Sequence, residues 1–339
     1  MLQPANKHLK LTSQQGKSKL SSLVTLLVLV GLVGGLLVNQ NRIFDYWRLR
    51  GYMPPANVVQ LAADTTMNDY ARHLFYLNKP GILPTVASFR QHCPENQDTI
   101  VLGCYHSGEN GIFVYDVPDP TLAGVQQVTA AHEMLHAAYG RLSHQDKAAI
   151  NAQLQAFYKH GLTDPQVLAE LKIYKVTEPD SLPDEMHSLF GTEIAQLPPG
   201  LEAYYKKFFT DRSKIVSYQS RYQTQFTQRQ SAIAADDQQL NELKAQINAQ
   251  QTVLDSQLAI ITADRARING YAKSNDVAAY NAAVPGFNAE IDRYNTGIGT
   301  LQSLITSFNQ LVEARNAIAG QLTTLDKALD TRTIQQMSH

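Results

Sequence analysis

Two histidines separated by three residues, with a glutamate directly after the first, form the motif H-E-x-x-H at His132 to His136. On a helix, residues four apart lie on one face about one turn from each other, so both imidazoles can reach one Zn²⁺. The glutamate, Glu133, is then placed against the water bound to the metal. The motif therefore predicts a metal-binding helix over 125–139. Small residues flank it, as a buried site beside a cleft requires: Ala130, Ala131, Ala137 and Ala138.

The overall composition excludes several classes of protein. A chain of 339 residues exceeds one typical domain, so we expect two units plus additional segments. The formal net charge of −1 gives no sign of a surface for nucleic acid, and no nucleic-acid partner is predicted. The chain has only two cysteines, Cys93 and Cys104, which excludes a cysteine-rich zinc site or an iron–sulfur cluster.

An apolar run near the N-terminus predicts a membrane anchor. Residues 20–38 contain no charge, and a helix of this length spans a bilayer core. No small-x-small cleavage site follows, so we expect an uncleaved single-pass anchor preceded by a cytoplasmic tail over 1–19. Lysines in that tail favour a cytoplasmic N-terminus and place the rest of the chain outside the cytoplasm. They are Lys7, Lys10, Lys17 and Lys19.

The zone over 52–210 mixes short strands and helices and is predicted to contain the metal site. Two β-rich runs, 99–105 and 112–117, are joined by a polar turn and predict a hairpin. Asp164 before Pro165 is a helix-start signal. The predicted helices of this zone, besides the motif helix, cover 67–77, 144–160, 165–176, 183–190 and the chain from 199 onward.

The zone over 211–339 is almost entirely helical and has an apolar residue at every seventh position. This period predicts two long helices folded into an antiparallel coiled-coil hairpin. The segment 270–286, which holds Ser274-Asn275-Asp276 and Pro285, is predicted to break the helix. Glutamine and asparagine at seam positions suggest a partner helix or a second copy of the chain. The two apolar series are Ile233, Leu240, Ile247, Leu254, Ile261 and Ile268, then Ile291, Ile298, Ile305 and Val312.

Two histidines do not complete a catalytic zinc site, which takes three protein ligands and keeps one position for water. A third histidine six residues after His136, one common solution, is ruled out because position 142 is leucine. The other common solution is a glutamate from a later helix. Three residues of the run 183–193 are alternatives for this ligand: Glu185, Glu193 and His187. If Gly191 ends the helix, Glu193 instead orients a histidine N–H.

The combination of H-E-x-x-H with the later Asp184-Glu185-Met186-His187-Ser188 resembles the gluzincin zinc metallopeptidases, over residues 132–193. That family takes its third ligand from the glutamate of an Asn-Glu pair, so the resemblance implies Glu185 as ligand; this chain has Asp184 in place of the asparagine. The segment from Glu185 to Glu193 is also similar to a segment found in uncharacterised membrane-anchored bacterial proteins. The resemblance implies an α+β zincin-like catalytic domain, mostly helical with a small sheet.

The chemistry of such a site assigns a role to Glu133. Glu133 would take a proton from the attacking water and pass it to the leaving amine. A second hydrogen-bond donor to the carbonyl oxygen is expected, and the candidates are His187, Tyr204 and Tyr205. In the resembled family, a strand at the position of 112–117 borders the cleft and pairs with extended substrate.

These observations predict one transmembrane helix, the zincin-like domain and the C-terminal hairpin, in that order. Outside the cytoplasm, Cys93 and Cys104 are expected to form a disulfide. Two functions remain open. The first is a membrane-anchored, extracytoplasmic zinc peptidase, an endopeptidase in its simplest form, that cleaves a protein or peptide substrate. The second is a catalytically inactive scaffold of the cell envelope that acts through its coiled coil.

Overall fold

The computed structural model of the protein describes residues 15–94, 100–107 and 111–332. Most of the predicted cytoplasmic tail, the first residue of the run 99–105, the centre of the hairpin turn and the last seven residues lie outside this part of the chain. Within it, the fold is mostly helical with one three-stranded sheet, as predicted.

The first helix, α1 (Gln15–Leu49), contains the apolar run. Between Leu23 and Leu36 the large apolar side chains are 53% to 63% exposed. Within the described part of the chain, no single helix has the length and apolarity to cross a membrane. Two stretches, Leu23–Leu36 and Asn39–Leu49, are separated by a 58° bend. Only when taken together are they long and apolar enough to cross a membrane.

Short elements follow α1 and lead to the motif helix. The sequence patterns do not predict α2, β1 or α4; β1 is only three residues long and lies between two prolines, Pro80 and Pro84. The elements are α2 (Ala56–Asp64), α3 (Asp69–Leu77), β1 (Gly81–Leu83), α4 (Val86–His92), β2 (Gly103–His106) and β3 (Gly111–Tyr115).

The sheet has the strand order β1-β3-β2, with β1 parallel and β2 antiparallel to the central strand. β2 and β3 are the two predicted strands, and their pairing is the predicted hairpin, with Cys104 opposite Phe113. Because β3 is paired on both sides, the prediction that 112–117 offers a free edge to substrate is wrong. Among the described strands, the two edges of the sheet belong to β1 and β2.

The motif helix is α5 (Val125–Gly140), which confirms the prediction to within one residue. A 3₁₀ turn (Pro120–Leu122) leads into it. Gly124 has a φ of +113°, a conformation that L-residues with a side chain rarely adopt, and its Cβ position is 3.0 Å from Cβ of Tyr218. Glycine at this position therefore allows α5 to start directly against the C-terminal hairpin.

Four helices complete the domain: α6 (His144–His160), α7 (Pro165–Thr177), α8 (Leu182–Thr192) and α9 (Pro199–Tyr205). The predicted cap Asp164 accepts hydrogen bonds from the backbone N–H groups of Gln166 and Val167. α8 packs closely on α5 because Gly191 has no side chain. A Cβ there would lie 2.5 Å from Leu135 and 2.7 Å from Tyr205.

Two long helices, α10 (Arg212–Lys273) and α11 (Val277–Leu329), form the predicted hairpin. The break is shorter than predicted, because α11 continues through Pro285. A proline removes one backbone hydrogen bond, and packing along the hairpin supports the helix around it. In the predicted seam, Leu254 and Ile268 are buried, whereas Ile305 is 40% exposed and lies outside it.

The end of the hairpin returns to the domain beside β2. Leu325 is buried against Leu122 and Val125, at the start of α5. Just beyond α11, Thr331 Oγ1 donates to the backbone carbonyl of Val101, two residues before β2, at 2.6 Å. These contacts join the C-terminal end of the hairpin to the start of α5 and to the segment before β2.

Candidate metal centre

The structure brings His132, His136 and Glu185 together from two helices, α5 and α8. Nε2 of His132 lies 3.6 Å from Oε2 of Glu185, and Nε2 of His136 lies 3.6 Å from Oε1. One ligand atom from each residue falls within 4.8 Å of the other two. Atoms about 2 Å from a tetrahedral ion lie about 3.3 Å from one another, so the spacing suits a metal of this kind.

The surroundings of Glu185 also fit a bound cation. Its Oε2 is buried and has no hydrogen-bond partner among the described residues. A buried carboxylate oxygen without a partner is costly, and a metal ion would satisfy it. Burial raises the pKa of Glu185, but His132 and His136 outweigh it and hold that pKa below its ordinary value. The group is therefore an anion, the form that binds metal.

Asp184 orients one of the histidines. Its Oδ1 lies 2.8 Å from Nδ1 of His136, so a proton on Nδ1 leaves the lone pair of Nε2 directed at the metal position. Burial lowers the pKa of His136, but the hydrogen bond to Asp184 and the charge of Glu185 outweigh it and raise that pKa to about 9. The sequence signal for this role is the Asp184-Glu185 pair itself, whereas the sequence-based prediction gives the role of orienting a histidine to Glu193.

Glu133 lies next to these ligands and is only 6% exposed. Burial raises its pKa above the ordinary value, and the neighbouring His136 and His132 oppose that shift. The backbone of β2 passes directly over it, since a Cβ at Gly103 would lie 2.7 Å from Oε1 of Glu133. The side chains of His132 and His136 are 16% and 13% exposed, so water reaches the site.

The other two predicted ligands lie elsewhere. Glu193, the C-cap of α8, points to the hairpin and accepts a hydrogen bond from Nε2 of Gln219 at 2.8 Å. It lines a separate cavity of about 430 Å³ between α10 and the domain. His187 is fully buried, and its Nε2 lies 2.9 Å from the hydroxyl of Tyr204. Neither residue joins the cluster of His132, His136 and Glu185.

The residues predicted to stabilise the carbonyl oxygen form a buried aromatic cluster. Tyr205 is fully buried, and its hydroxyl donates to the backbone carbonyl of His187 at 2.7 Å. Burial and the charges of His136 and His132 lower the pKa of His187 to about 3, so its imidazole is neutral. In these positions His187, Tyr204 and Tyr205 fix α8 against α9, and their predicted contact with substrate stays untested.

Helix α7 brings two further side chains to the site that the sequence analysis missed. Tyr174 interacts with the carboxylates of Glu185, Glu170 and Glu133. Glu170 interacts with His132 and Glu185, and burial raises its pKa. No spacing pattern connects α7 to the motif, because only tertiary packing places the helix over α8.

The two cysteines form a disulfide, with Cα atoms 5.9 Å apart. It links Cys93, at the end of α4, to Cys104 on β2. The next residue towards the N-terminus from Cys104 is Gly103, which contacts Glu133. The disulfide therefore fixes the strand that covers the candidate base.

The geometry thus assembles three metal-binding side chains, a carboxylate that orients one of them and a buried glutamate beside them. It carries the functional argument without support from relatives. No protein-family model, curated protein or solved structure matches the chain.

Proposed function

We propose that the protein is a zinc-dependent peptidase that hydrolyses peptide bonds. The observation that carries the proposal is the cluster of His132, His136 and Glu185, in which Oε2 of Glu185 is buried without a hydrogen-bond partner in the described part of the chain. One neutral nitrogen from each histidine and one carboxylate oxygen are the ligands of a catalytic rather than a structural zinc ion. Partial exposure of both histidines supports access by water and substrate.

A zinc ion held by these residues would lower the pKa of a water molecule towards ~7 and polarise the scissile carbonyl. Glu133 then accepts a proton from the water as the water oxygen bonds to the carbonyl carbon. Glu133 passes that proton to the amine nitrogen as the C–N bond breaks. Burial raises the pKa of Glu133, which suits a group that must both accept and release a proton.

Two neighbours of Glu185 complete the proposed site. Asp184 keeps the proton of His136 on Nδ1, so that Nε2 remains free to bind metal. The hydroxyl of Tyr174 is the donor we assign to the carbonyl oxygen of the substrate. The assignment rests on its interactions with Glu185 and Glu133 and on burial, which raises its pKa and keeps it protonated.

The unpaired edge of β2 gives extended substrate a place to bind. Among the described strands β2 pairs only with β3, and Gly103 on this strand contacts Glu133. A peptide that adds to this edge forms main-chain hydrogen bonds beside the candidate base. A protein or peptide substrate is therefore proposed, in place of a small molecule.

We also propose that α1 anchors the protein in a membrane, with the domain and the hairpin outside the cytoplasm. Exposed apolar side chains along Leu23–Leu36 and the lysines before them support this placement. A disulfide between Cys93 and Cys104 is consistent with an oxidising compartment.

The metal content of the purified protein tests the site. We expect about one zinc ion per chain in the wild type and none in Glu185→Ala. Glu193→Gln is the matched control, because it changes the rival glutamate of the same helix, and it should retain zinc. Zinc retained in Glu185→Ala but lost in Glu193→Gln would reject our ligand assignment.

Activity tests the role of Glu133. We expect zinc-loaded Glu133→Gln to cleave an unstructured polypeptide at least about 10²-fold more slowly than the wild type. Glu313→Gln, an exposed position on the hairpin, is the control and should match the wild type. If the wild type holds no stoichiometric zinc, the inactive scaffold acting through its coiled coil replaces the peptidase as the proposed function.

A further inference from the structure

The C-terminal end of α1 carries exposed aromatic side chains, and an exposed arginine, Arg50, follows it directly. We call residues 43–50 the collar. Phe44, Tyr46 and Trp47 are 59%, 65% and 63% exposed. Arg48 lies over the ring of Phe44 and Arg50 over that of Trp47, at 5.8 and 5.3 Å from the ring centroids. Exposed aromatic rings and the exposed Arg50 just beyond an apolar helix match the headgroup layer of a bilayer that contains anionic lipids.

One acidic residue of the collar points the other way and docks on the domain. Asp45 is only 8% exposed. Its carboxylate accepts two hydrogen bonds from Arg141 and lies 3.1 Å from Nε2 of His73. Arg48 adds a hydrogen bond of 2.5 Å to the backbone carbonyl of Leu77. The collar is therefore fixed to the domain by polar contacts with α3 and with the end of α5.

This docking point is close to the metal ligands. Arg141 is the C-cap of α5 and follows His136 by five residues, about 7.5 Å along the helix axis. Tyr105 on β2 interacts electrostatically with Arg141, Arg48 and Asp184. Asp45 follows the apolar run by seven residues, about 10 Å of helix. The metal ligands therefore lie within about 30 Å of the end of the apolar run. This distance is about the diameter of a small domain.

We propose that the collar lies in the lipid headgroup layer and that the Asp45–Arg141 contact holds the metal centre at the membrane surface. The substrate is then a membrane-bound polypeptide that is cleaved close to the bilayer. This inference rests on the proposed peptidase function and names its substrate class. Attachment of enzyme and substrate to one membrane raises their effective concentration without any new contact. A flexible tether would let the metal centre move through a larger volume above the membrane. The buried Asp45–Arg141 ion pair restricts this motion.

The position of the collar can be measured without any activity, because Trp47 is the only tryptophan of the chain. We use the full chain in vesicles of phosphatidylcholine and phosphatidylglycerol. Trp47 emission should be blue-shifted and several-fold less quenched by iodide than N-acetyltryptophanamide. The control is Trp47→Phe with Tyr280→Trp, which moves the reporter to the remote end of the hairpin and should restore quenching. Trp47 as accessible to iodide as that control would overturn the proposal.

The substrate class is tested on the same zinc-loaded vesicles with a randomised peptide mixture, either free in solution or joined to a dialkyl lipid by a short linker. We expect the lipid-linked mixture to be cleaved at least about tenfold faster at equal total concentration. Asp45→Ala should reduce this preference while leaving zinc content and cleavage of the free mixture unchanged. Asp69→Ala, an exposed acid on α3 that does not contact α1, is the matched control and should keep the preference.

The outcomes separate this inference from the function on which it rests. Equal cleavage of both mixtures overturns the substrate class and leaves the peptidase standing. An unchanged preference in Asp45→Ala overturns the role of the Asp45–Arg141 contact. No cleavage of either mixture overturns the peptidase and the substrate class together, and the Trp47 measurement then decides the position of the collar by itself.

Discussion

The carboxylate of Asp184 lies 2.8 Å from Nδ1 of His136, and the next residue, Glu185, faces Nε2 of the same ring. Two adjacent acids of α8 thus hold one imidazole from both sides. Because α8 carries both, its position against α5 sets the orientation of the histidine and the geometry of the ligands at once.

Removal of the Asp184 carboxylate should weaken zinc binding. We expect Asp184→Ala to lower zinc affinity by about 10- to 100-fold, since the tautomer and the orientation of His136 are no longer fixed. Asp184→Asn should lose less, because its amide oxygen still accepts from Nδ1–H. Competition with a chelator measures both. Asp180→Asn, an exposed neighbour, is the control, and a loss there equal to that of Asp184→Ala would contradict the role of Asp184.

Zinc affinity should rise with pH. The pKa of His136 is about 9, so its imidazole is protonated at neutral pH and must release that proton to bind metal. We expect the apparent affinity to increase about tenfold per pH unit between about pH 7 and 9, with about one proton released from this residue. Calorimetry in buffers of different ionisation enthalpy counts the protons. An affinity that does not change over this range would contradict the raised pKa.

The same pKa predicts the opposite trend for the stability of the metal-free protein. A pKa raised in the folded state stabilises the fold fully below the unfolded value of about 6.5. That contribution is lost as the pH rises through about 9. The free energy of urea unfolding, measured without metal, should therefore fall between these values in the wild type, and the fall should be smaller in Asp184→Ala.

Gly103→Ala should impair Glu133 without removing the metal. The new Cβ would lie 2.5 Å from Cγ2 of Thr129 and 2.7 Å from Oε1 of Glu133, so Glu133 must move. A displacement of about 1 Å in a catalytic group costs about 10²-fold in rate, and we expect a loss of that order in kcat at unchanged zinc content. Gly270→Ala is the control, because its new Cβ would meet no described atom within 4 Å apart from its chain neighbours and its own helix backbone. Full activity of Gly103→Ala would show that Glu133 is not the base.

Local signals in the sequence were sufficient for most helices of the domain. Asp164 before Pro165 predicted the start of α7, and the H-E-x-x-H motif predicted α5. The period of seven predicted the hairpin but not the burial of every seam position, because Ile305 is 40% exposed whereas Leu254 and Ile268 are buried. These helices depend on nearest-neighbour chemistry, which the sequence displays directly.

The sequence left the choice between Glu185 and Glu193 open for a physical reason. Both lie on or at the end of α8, and their destinations depend on which helix each faces. Glu185 faces α5, whereas Glu193 bonds to Gln219, which is 26 residues later on α10. The same holds for Tyr174, which reaches Glu185 only through the packing of α7 on α8. Contacts between distant segments leave no periodic signal in one sequence.

The disulfide should stabilise the strand that covers Glu133. Cys93 and Cys104 close a short loop, and we expect Cys93→Ser/Cys104→Ser to lower the free energy of unfolding by about 2–3 kcal/mol. Urea denaturation measures the loss. Treatment of the wild type with dithiothreitol should reproduce it, and the same treatment should leave the double variant unchanged. A wild type insensitive to the reductant would contradict a stabilising disulfide.

Arg212 should be the most costly single arginine to remove from the domain's junction with the hairpin. Its buried guanidinium donates to Glu202 and to backbone carbonyls at the end of α8, including that of Ile194 at 2.6 Å. Arg212→Ala leaves these acceptors without a donor, and we expect a loss of about 3 kcal/mol or more in unfolding free energy.

Exposed Arg221, which only lies over the ring of Tyr218, is the matched control for Arg212. Arg221→Ala should cost less than about 1 kcal/mol. Because α8 carries Asp184 and Glu185, Arg212→Ala should also lower zinc affinity under conditions in which the protein is still folded, as near-ultraviolet circular dichroism would verify. Equal losses of stability in the two variants would mean that Arg212 does not hold the end of α8.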